Sequence, residues 1–194
     1  MKLFNNTYPK LNDEELMVQS ARGSKAAFAE LYKRYAGRLD YYFSCMFNFD
    51  KFKAADYTHD LFLKIIENGE SFDKTKKLST WIYSIAANMC KNEFRRLEHE
   101  KTYIKCETLN FPVHHDFTEE QIDYNFASHE LICIMEKLSP EVRELLLLRF
   151  REELTIKEIA QISNLPEGTV KSKIFYSLKS ITIKMAHYDL KNQQ

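Results

Sequence analysis

Apolar residues recur along most of this chain at intervals of three and four, the spacing that lines one face of an α-helix. Phe28, Leu31, Tyr32, Tyr35 and Leu39 form one such stripe. Ala55, Phe62, Ile65 and Ile66 form a second, and Trp81, Ile82, Ile85, Ala86 and Met89 a third. The punctuation between them agrees. Asn12 with Glu15 three residues on makes a capping box, each side chain satisfying an amide that the helix start leaves unpaired. That helix is expected to end at Gly23, where Ser24 caps the next. A third helix is expected from about Lys53 to Glu67, stopping at Asn68-Gly69, and a fourth from Thr80 to Arg96.

The regularity lapses from about Leu97 to Ser128, a stretch interrupted by Pro112 that reads as a linker. Helical spacing resumes from Glu130 to Leu138, and Ser139-Pro140-Glu141 restarts the chain with Ser at the cap and Pro at the first helical position. The run Leu145 to Leu148 is too short to cross a membrane and reads as the core of a small C-terminal domain. Thr155 with Glu158 makes another capping box, with Ile156, Ile159 and Ala160 on one apolar face. Asn164 stands where the chain must turn, as one of the few residues at ease in the left-handed conformation. The second helix starts near Glu167 and puts Val170, Ile174, Leu178 and Ile181 on one stripe, completing a helix-turn-helix. The expectation is an all-α protein of two small helical domains, residues 10–97 and 129–187, joined by a flexible linker over 98–128.

Composition narrows this further. Four Gly and four Pro in 194 residues fit helices with few tight turns. Formal charge is zero overall but unevenly spread: residues 21–98 carry fourteen Lys and Arg against ten Asp and Glu, while residues 99–128 carry two against six. Residues 171–194 hold five Lys and one Asp. The four cysteines show no close pairing, and Cys106, His114, His115 and Cys133 lack any zinc-ligand spacing, so neither metal nor cofactor is expected. No apolar run reaches membrane-spanning or signal-peptide length. A soluble, cytoplasmic protein without stable membrane insertion is expected.

Three stretches carry candidate chemistry. Opposite its apolar stripe, the last helix presents Thr169, Ser172, Tyr176 and Lys179, with Lys171 and Lys173 on the flanks. Short hydroxyls and an aromatic between ammonium groups suit a DNA major groove; a solvated polar face is the plainer alternative. Phe72, Lys74, Lys76 and Lys77 occupy a polar loop of a dozen residues, and the next helix adds Trp81 and ends in Lys91, Arg95 and Arg96. Cations beside aromatics can hold single-stranded nucleic acid, although basic residues in a last turn also simply favour the helix dipole. On the third helix Asp56, His59, Asp60, Leu63 and Lys64 form a mixed acidic and apolar strip, either solvated or facing a basic partner.

In order along the chain, AFAELYKRYAGRL, AADYTHDLFLKII and LSTWIYSIAANMCKNEFRR, then LSPEVRELLLLRF and TIKEIAQISNLPEGTVKSKI, resemble regions 2 and 4 of the extracytoplasmic-function group of bacterial sigma factors. The resemblance spans roughly Ala26 to Arg96 and Leu138 to Ile181. It implies a promoter-recognition subunit that binds core RNA polymerase and promoter DNA, assists DNA melting without covalent chemistry of its own, and is held in check by an anti-sigma factor. By the same matching, Asp56, His59, Asp60 and Leu63 dock on polymerase. Phe72, Lys74, Lys76, Lys77, Trp81, Asn88, Arg95 and Arg96 engage the minus-ten element, where a base is pulled from the stack. Thr169, Lys171, Ser172, Lys173, Tyr176 and Lys179 face the minus-thirty-five element.

The sequence departs from the family pattern in places. His59 replaces a usual Gln, putting an imidazole where an amide is common. Pro166 replaces a common capping Ser, and Tyr176 and Leu178 fall in an often Arg-rich stretch, which implies fewer phosphate contacts there. A stand-alone helix-turn-helix regulator binding as a dimer is the competing reading, and it has no use for Asp56 or Asp60. An enzyme is disfavoured, for want of a phosphate-cradling glycine loop, a metal-ligand pair or a persuasive Ser, His and Asp set.

Overall fold

A computed structural model describes residues 8–104 and 134–191; the linker centre, and with it Cys106, His114, His115 and Cys133, lies outside the described residues. Among the described residues there is no strand. Helices α1 (Asp13–Ala21), α2 (Lys25–Met46), α3 (Lys51–Asn68) and α4 (Leu78–Ile104) build the first half. Helices α5 (Pro140–Leu146), α6 (Ile156–Ser163) and α7 (Glu167–Lys191) build the second.

The local signals account for most helix ends. Asn12 and Glu15 exchange hydrogen bonds of 2.7 and 3.1 Å, Ser24 accepts from the Ala27 amide, and Asp50 caps α3 by accepting from the Lys53 amide. Ser139 caps α5 with Pro140 at its first position, and Thr155 and Glu158 form the second capping box. Asn164 takes the left-handed conformation at the helix-turn-helix corner, φ 59° and ψ 43°. Helix α4 runs past the expected end at Arg96 to Ile104, and residues 134–136 are helical where Glu130 to Leu138 was expected to be.

Helix α1 works as a brace. Asp13 accepts from the Arg34 guanidinium at 2.7 Å and the Tyr35 hydroxyl at 2.6 Å, fixing α1 across α2. Glu14 accepts from the Leu78 amide at 2.9 Å, so a side chain of α1 caps the start of α4 and anchors the end of the lysine loop.

One apolar core runs through both halves, from Leu16 and Met17 of α1 to Val170 and Ile174 of α7. Tyr35, Leu39, Tyr42 and Phe43 of α2, Leu61 and Ile65 of α3, and Ile82 and Tyr83 of α4 line it in the first half. The stripes differ from the expected ones at particular positions. On α3 the buried face is Ala54, Thr58, Leu61, Phe62 and Ile65, whereas Ala55 and Ile66 point outward. Leu178 stands 39% exposed because α7 outruns the helices that cover its first turns, and Tyr32 on α2 is also exposed. Leu145 to Leu148 are buried as expected, but the chain widens there into a π-helical turn over Leu147–Arg151.

The halves meet at the C-terminus of α2. Arg143 of α5 is 3% exposed, and its guanidinium donates to the carbonyls of Cys45 (2.8 Å) and Met46 (3.3 Å) and to Asn48 Oδ1 (2.8 Å). It also donates to the carbonyls of Met135, Glu136 and Leu138 in its own half. The α2–α3 corner it grips is tight: Asn48 and Phe49 both have positive φ, 54° and 62°. Glu152, with its side chain 1% exposed, accepts from Arg38 of α2 at 2.9 Å. Lys91 of α4 donates to the Ser163 carbonyl at the end of α6. Arg143→Met strands several buried carbonyls and should lower the unfolding free energy by about 3 kcal/mol. Urea unfolding checks this; a loss below about 1 kcal/mol would mean that water replaces the guanidinium.

Candidate nucleic-acid interface

The polar loop after α3 is shorter in effect than it looks. Gly69–Ser71 form a single 3-10 turn, and a Cβ added to Gly69 would come within 2.8 Å of Met17 Cε, so the backbone passes close under α1. Asp73 accepts from the Thr75 amide and hydroxyl, bending the chain so that Lys74, Lys76 and Lys77 are all exposed. Phe72 is half-buried with its ring centroid 5.4 Å from that of Trp81. The loop therefore sets Phe72 against Trp81 in the first turn of α4, with three exposed lysines between them in sequence.

Helix periodicity carries this surface along α4. Trp81, Asn88 and Arg95 are seven residues apart and share a face, with Asn88 and Arg95 exposed and Trp81 partly so. Arg95 donates to Asn92. Arg96 turns away from them: it pairs with Glu93 at 2.8 Å and with Glu100. Glu93 is a buried carboxylate held by Arg96 and by Lys53 from α3, and these hydrogen bonds bring it down to about pKa 2 against the cost of burial. Lys53 also lies 5.0 Å over the Phe47 ring. Of the candidate cations here, Arg96 is thus part of a fold-stabilising cluster, which the sequence did not distinguish from Arg95.

On α3, Asp56, His59, Asp60, Leu63 and Lys64 are all exposed, as the spacing predicted. Ile66, three residues past Leu63 and 57% exposed, extends that strip. On α7, Lys171, Ser172, Tyr176 and Lys179 are exposed, while Thr169 and Lys173 are half-buried. Lys173 is tied to Glu141 of α5 at 3.1 Å. Sequence reading missed Phe175, 63% exposed with its ring 5.4 Å from that of Tyr176. An apolar residue one step past a stripe position such as Ile174 lies about 100° off that stripe, which was the available signal.

These surfaces are not all free at once. Lys77 pairs with Glu158 at 2.8 Å, and Glu158 belongs to the capping box of α6. Lys77 and Lys91, fourteen residues apart, both touch α6, so the first helix of the helix-turn-helix lies along the part of α4 beside Trp81 and Asn88.

Among the described residues no helix is long and apolar enough to cross a membrane, and no cluster of three or more His, Cys, Asp or Glu could hold a metal. A family model described as Sigma-70 region 2 matches residues 30–100, and one described as Sigma-70, region 4 matches residues 128–181. The chain is 30% identical over 189 residues to the ECF RNA polymerase sigma-E factor of Haemophilus influenzae, covering 91% of this chain and 96% of that one. It is 27% identical over 164 residues to the ECF RNA polymerase sigma factor SigW of Bacillus subtilis, covering 80% and 87%. In fold it is similar to CnrH, solved with the cytosolic domain of CnrY, at TM-score 0.65, 17% identity, and 90% and 97% coverage. It is also similar to the sigma factor RpoE of Bartonella quintana, solved with the anti-sigma factor NepR, at TM-score 0.63, 18% identity, and 78% and 92% coverage.

Because Glu93 has its pKa depressed, its stabilisation is present above the ordinary 4.5 and is lost as pH falls toward about 2. Glu93→Gln should therefore flatten the dependence of melting temperature on pH over that acid range, measured by circular dichroism. An unchanged slope would show that other carboxylates set it.

Proposed function

The chain belongs to the extracytoplasmic-function sigma factors of RNA polymerase, and from that premise we propose how its surfaces divide the work of directing promoter-specific transcription initiation. Residues 10–97 act as region 2 and residues 129–187 as region 4, with 98–128 between them. The exposed strip of Asp56, His59, Asp60 and Leu63, extended by Ile66, docks on the core enzyme. Two carboxylates and two aliphatic side chains on a single helix face match a basic partner helix with an apolar seam.

Phe72, Trp81 and the lysines around them receive the minus-ten element. Unstacking a base costs a few kcal/mol, and an aromatic pair at a loop rim supplies stacking while Lys74 and Lys76 attract the flanking phosphates. Asn88 and Arg95 continue the track along α4. The helix α7 face of Lys171, Ser172, Tyr176 and Lys179, with Thr169 and Lys173 at its edges, lies in the duplex groove of the minus-thirty-five element. The protein acts in the cytoplasm, and an anti-sigma factor covering these surfaces would keep it silent. The observation that carries this reading is the aromatic pair formed between the lysine loop and the start of α4, on the same chain as a helix-turn-helix; a dimeric repressor of duplex DNA has no use for the former.

Run-off transcription with core enzyme and the protein's own upstream region tests it, and a discrete product dependent on added protein is expected. Asp56→Arg with Asp60→Arg should cut core affinity by about tenfold or more while leaving duplex binding by α7 unchanged. Duplex binding that survives the reversal, with no protein-dependent transcript from either form, would instead fit a stand-alone regulator. Because Glu158 already engages Lys77 and α6 lies against α4 beside Trp81 and Asn88, promoter binding competes with this contact, and α6 leaves α4 as the minus-ten element is engaged. Small-angle scattering should record an increase in the sigma factor's radius of gyration on joining polymerase, and an unchanged shape would refute the separation.

A further inference from the structure

The junction between the halves buries an ionisable group with one carboxylate oxygen left unsatisfied. Glu144 of α5 is 3% exposed, and its Oε1 has no hydrogen-bond partner. The groups facing it from the other half are Tyr42 of α2, whose hydroxyl is also unpartnered, and Cys90 and Lys91 of α4. Lys91 is the nearby cation, yet its ammonium donates to the Ser163 carbonyl at 3.3 Å. Glu141, on the same helix as Glu144, adds like charge while itself paired with Lys173. The remaining acid of that part of α4, Glu93, is committed to Lys53 and Arg96. Neighbouring Arg143 spends its guanidinium on carbonyls and on Asn48.

We propose that Glu144 is a proton-operated latch on the contact between the two halves: protonated and buried while they are docked, ionised and hydrated once they part. The inference rests on the reading that the halves separate to work. A carboxylate largely removed from water and without an ion-pair partner is more stable with its proton on, and burial moves Glu144 from the ordinary 4.5 to about 7, with Lys91 opposing and Glu141 adding. The sign follows. Below about pH 4.5 both arrangements hold the proton, and acid neither helps nor hinders docking through this group. Between 4.5 and about 7, parting releases a proton, so docking weakens by up to about tenfold for each pH unit. Above that, both arrangements are ionised and the weakening levels off.

Hydrogen exchange on the full chain alone tests this through amides at the end of α2 and in α5. Comparing wild type with Glu144→Gln at equal pH cancels both the intrinsic chemistry of exchange and the titration of histidines. Between about pH 5.5 and pH 8, protection of wild type relative to Glu144→Gln should fall at least about tenfold. Glu144→Leu, which fills the space without an ionisable group, should give the same ratio. A ratio constant with pH for both variants would overturn the latch. With no polymerase or DNA present, that result would leave the functional assignment to stand or fall on transcription.

Discussion

Arg143 is the interaction on which the arrangement of this protein turns. The last carbonyls of any helix have no partner within the helix and carry its partial negative charge. At the end of α2 that charge is met by a guanidinium from the other half of the chain, which also binds the Asn48 side chain of the corner beyond. The corner needs the help, because Phe49 takes a left-handed conformation that bulky residues avoid. The same planar fork ties in three carbonyls of the segment before α5, so one side chain fixes the exit of α2, the entry to α3 and the seat of α5. Burial lowers the basicity of this arginine, but its guanidinium nitrogens are met by main-chain carbonyls and by the Asn48 side chain.

Much of the fold could be read from the chain because it is encoded locally. Asn12, Ser24, Ser139 and Thr155 act within three residues of themselves, and Asn164 needs only its own backbone. The inward faces of α6 and the start of α7, and that of α2 apart from the exposed Tyr32, followed from periodicity for the same reason. What escaped is non-local. Leu178 and Ile66 have the spacing of core residues but no neighbour arrives to cover them. Arg143, Glu144 and Glu152 look like surface charges in sequence, and only docking of the two halves makes them buried.

The candidate interface divides along the same line. Exposure of Asp56, His59, Asp60 and Leu63 is a property of one helix, and the proximity of Phe72 to Trp81 follows from a short loop. The engagement of Lys77 by Glu158 and of Arg96 by Glu93 depends on packing between elements, so residue type alone could not separate cations free to meet phosphate from those already satisfied. The docked chain is thereby self-complementary in charge: the acid that caps α6 occupies a lysine of the neighbouring candidate nucleic-acid surface.

Two of the contacts between the halves end on main-chain oxygens, Arg143 on Cys45 and Met46, and Lys91 on Ser163. A carbonyl is present whatever side chain its residue carries. A substitution at Ser163, or a volume-conserving one at the buried Cys45 or Met46, therefore leaves the acceptor in place, whereas the donors at positions 143 and 91 have no such freedom. These two attachments are thus mutationally one-sided, unlike the Arg38–Glu152 and Lys77–Glu158 pairs, which need both side chains.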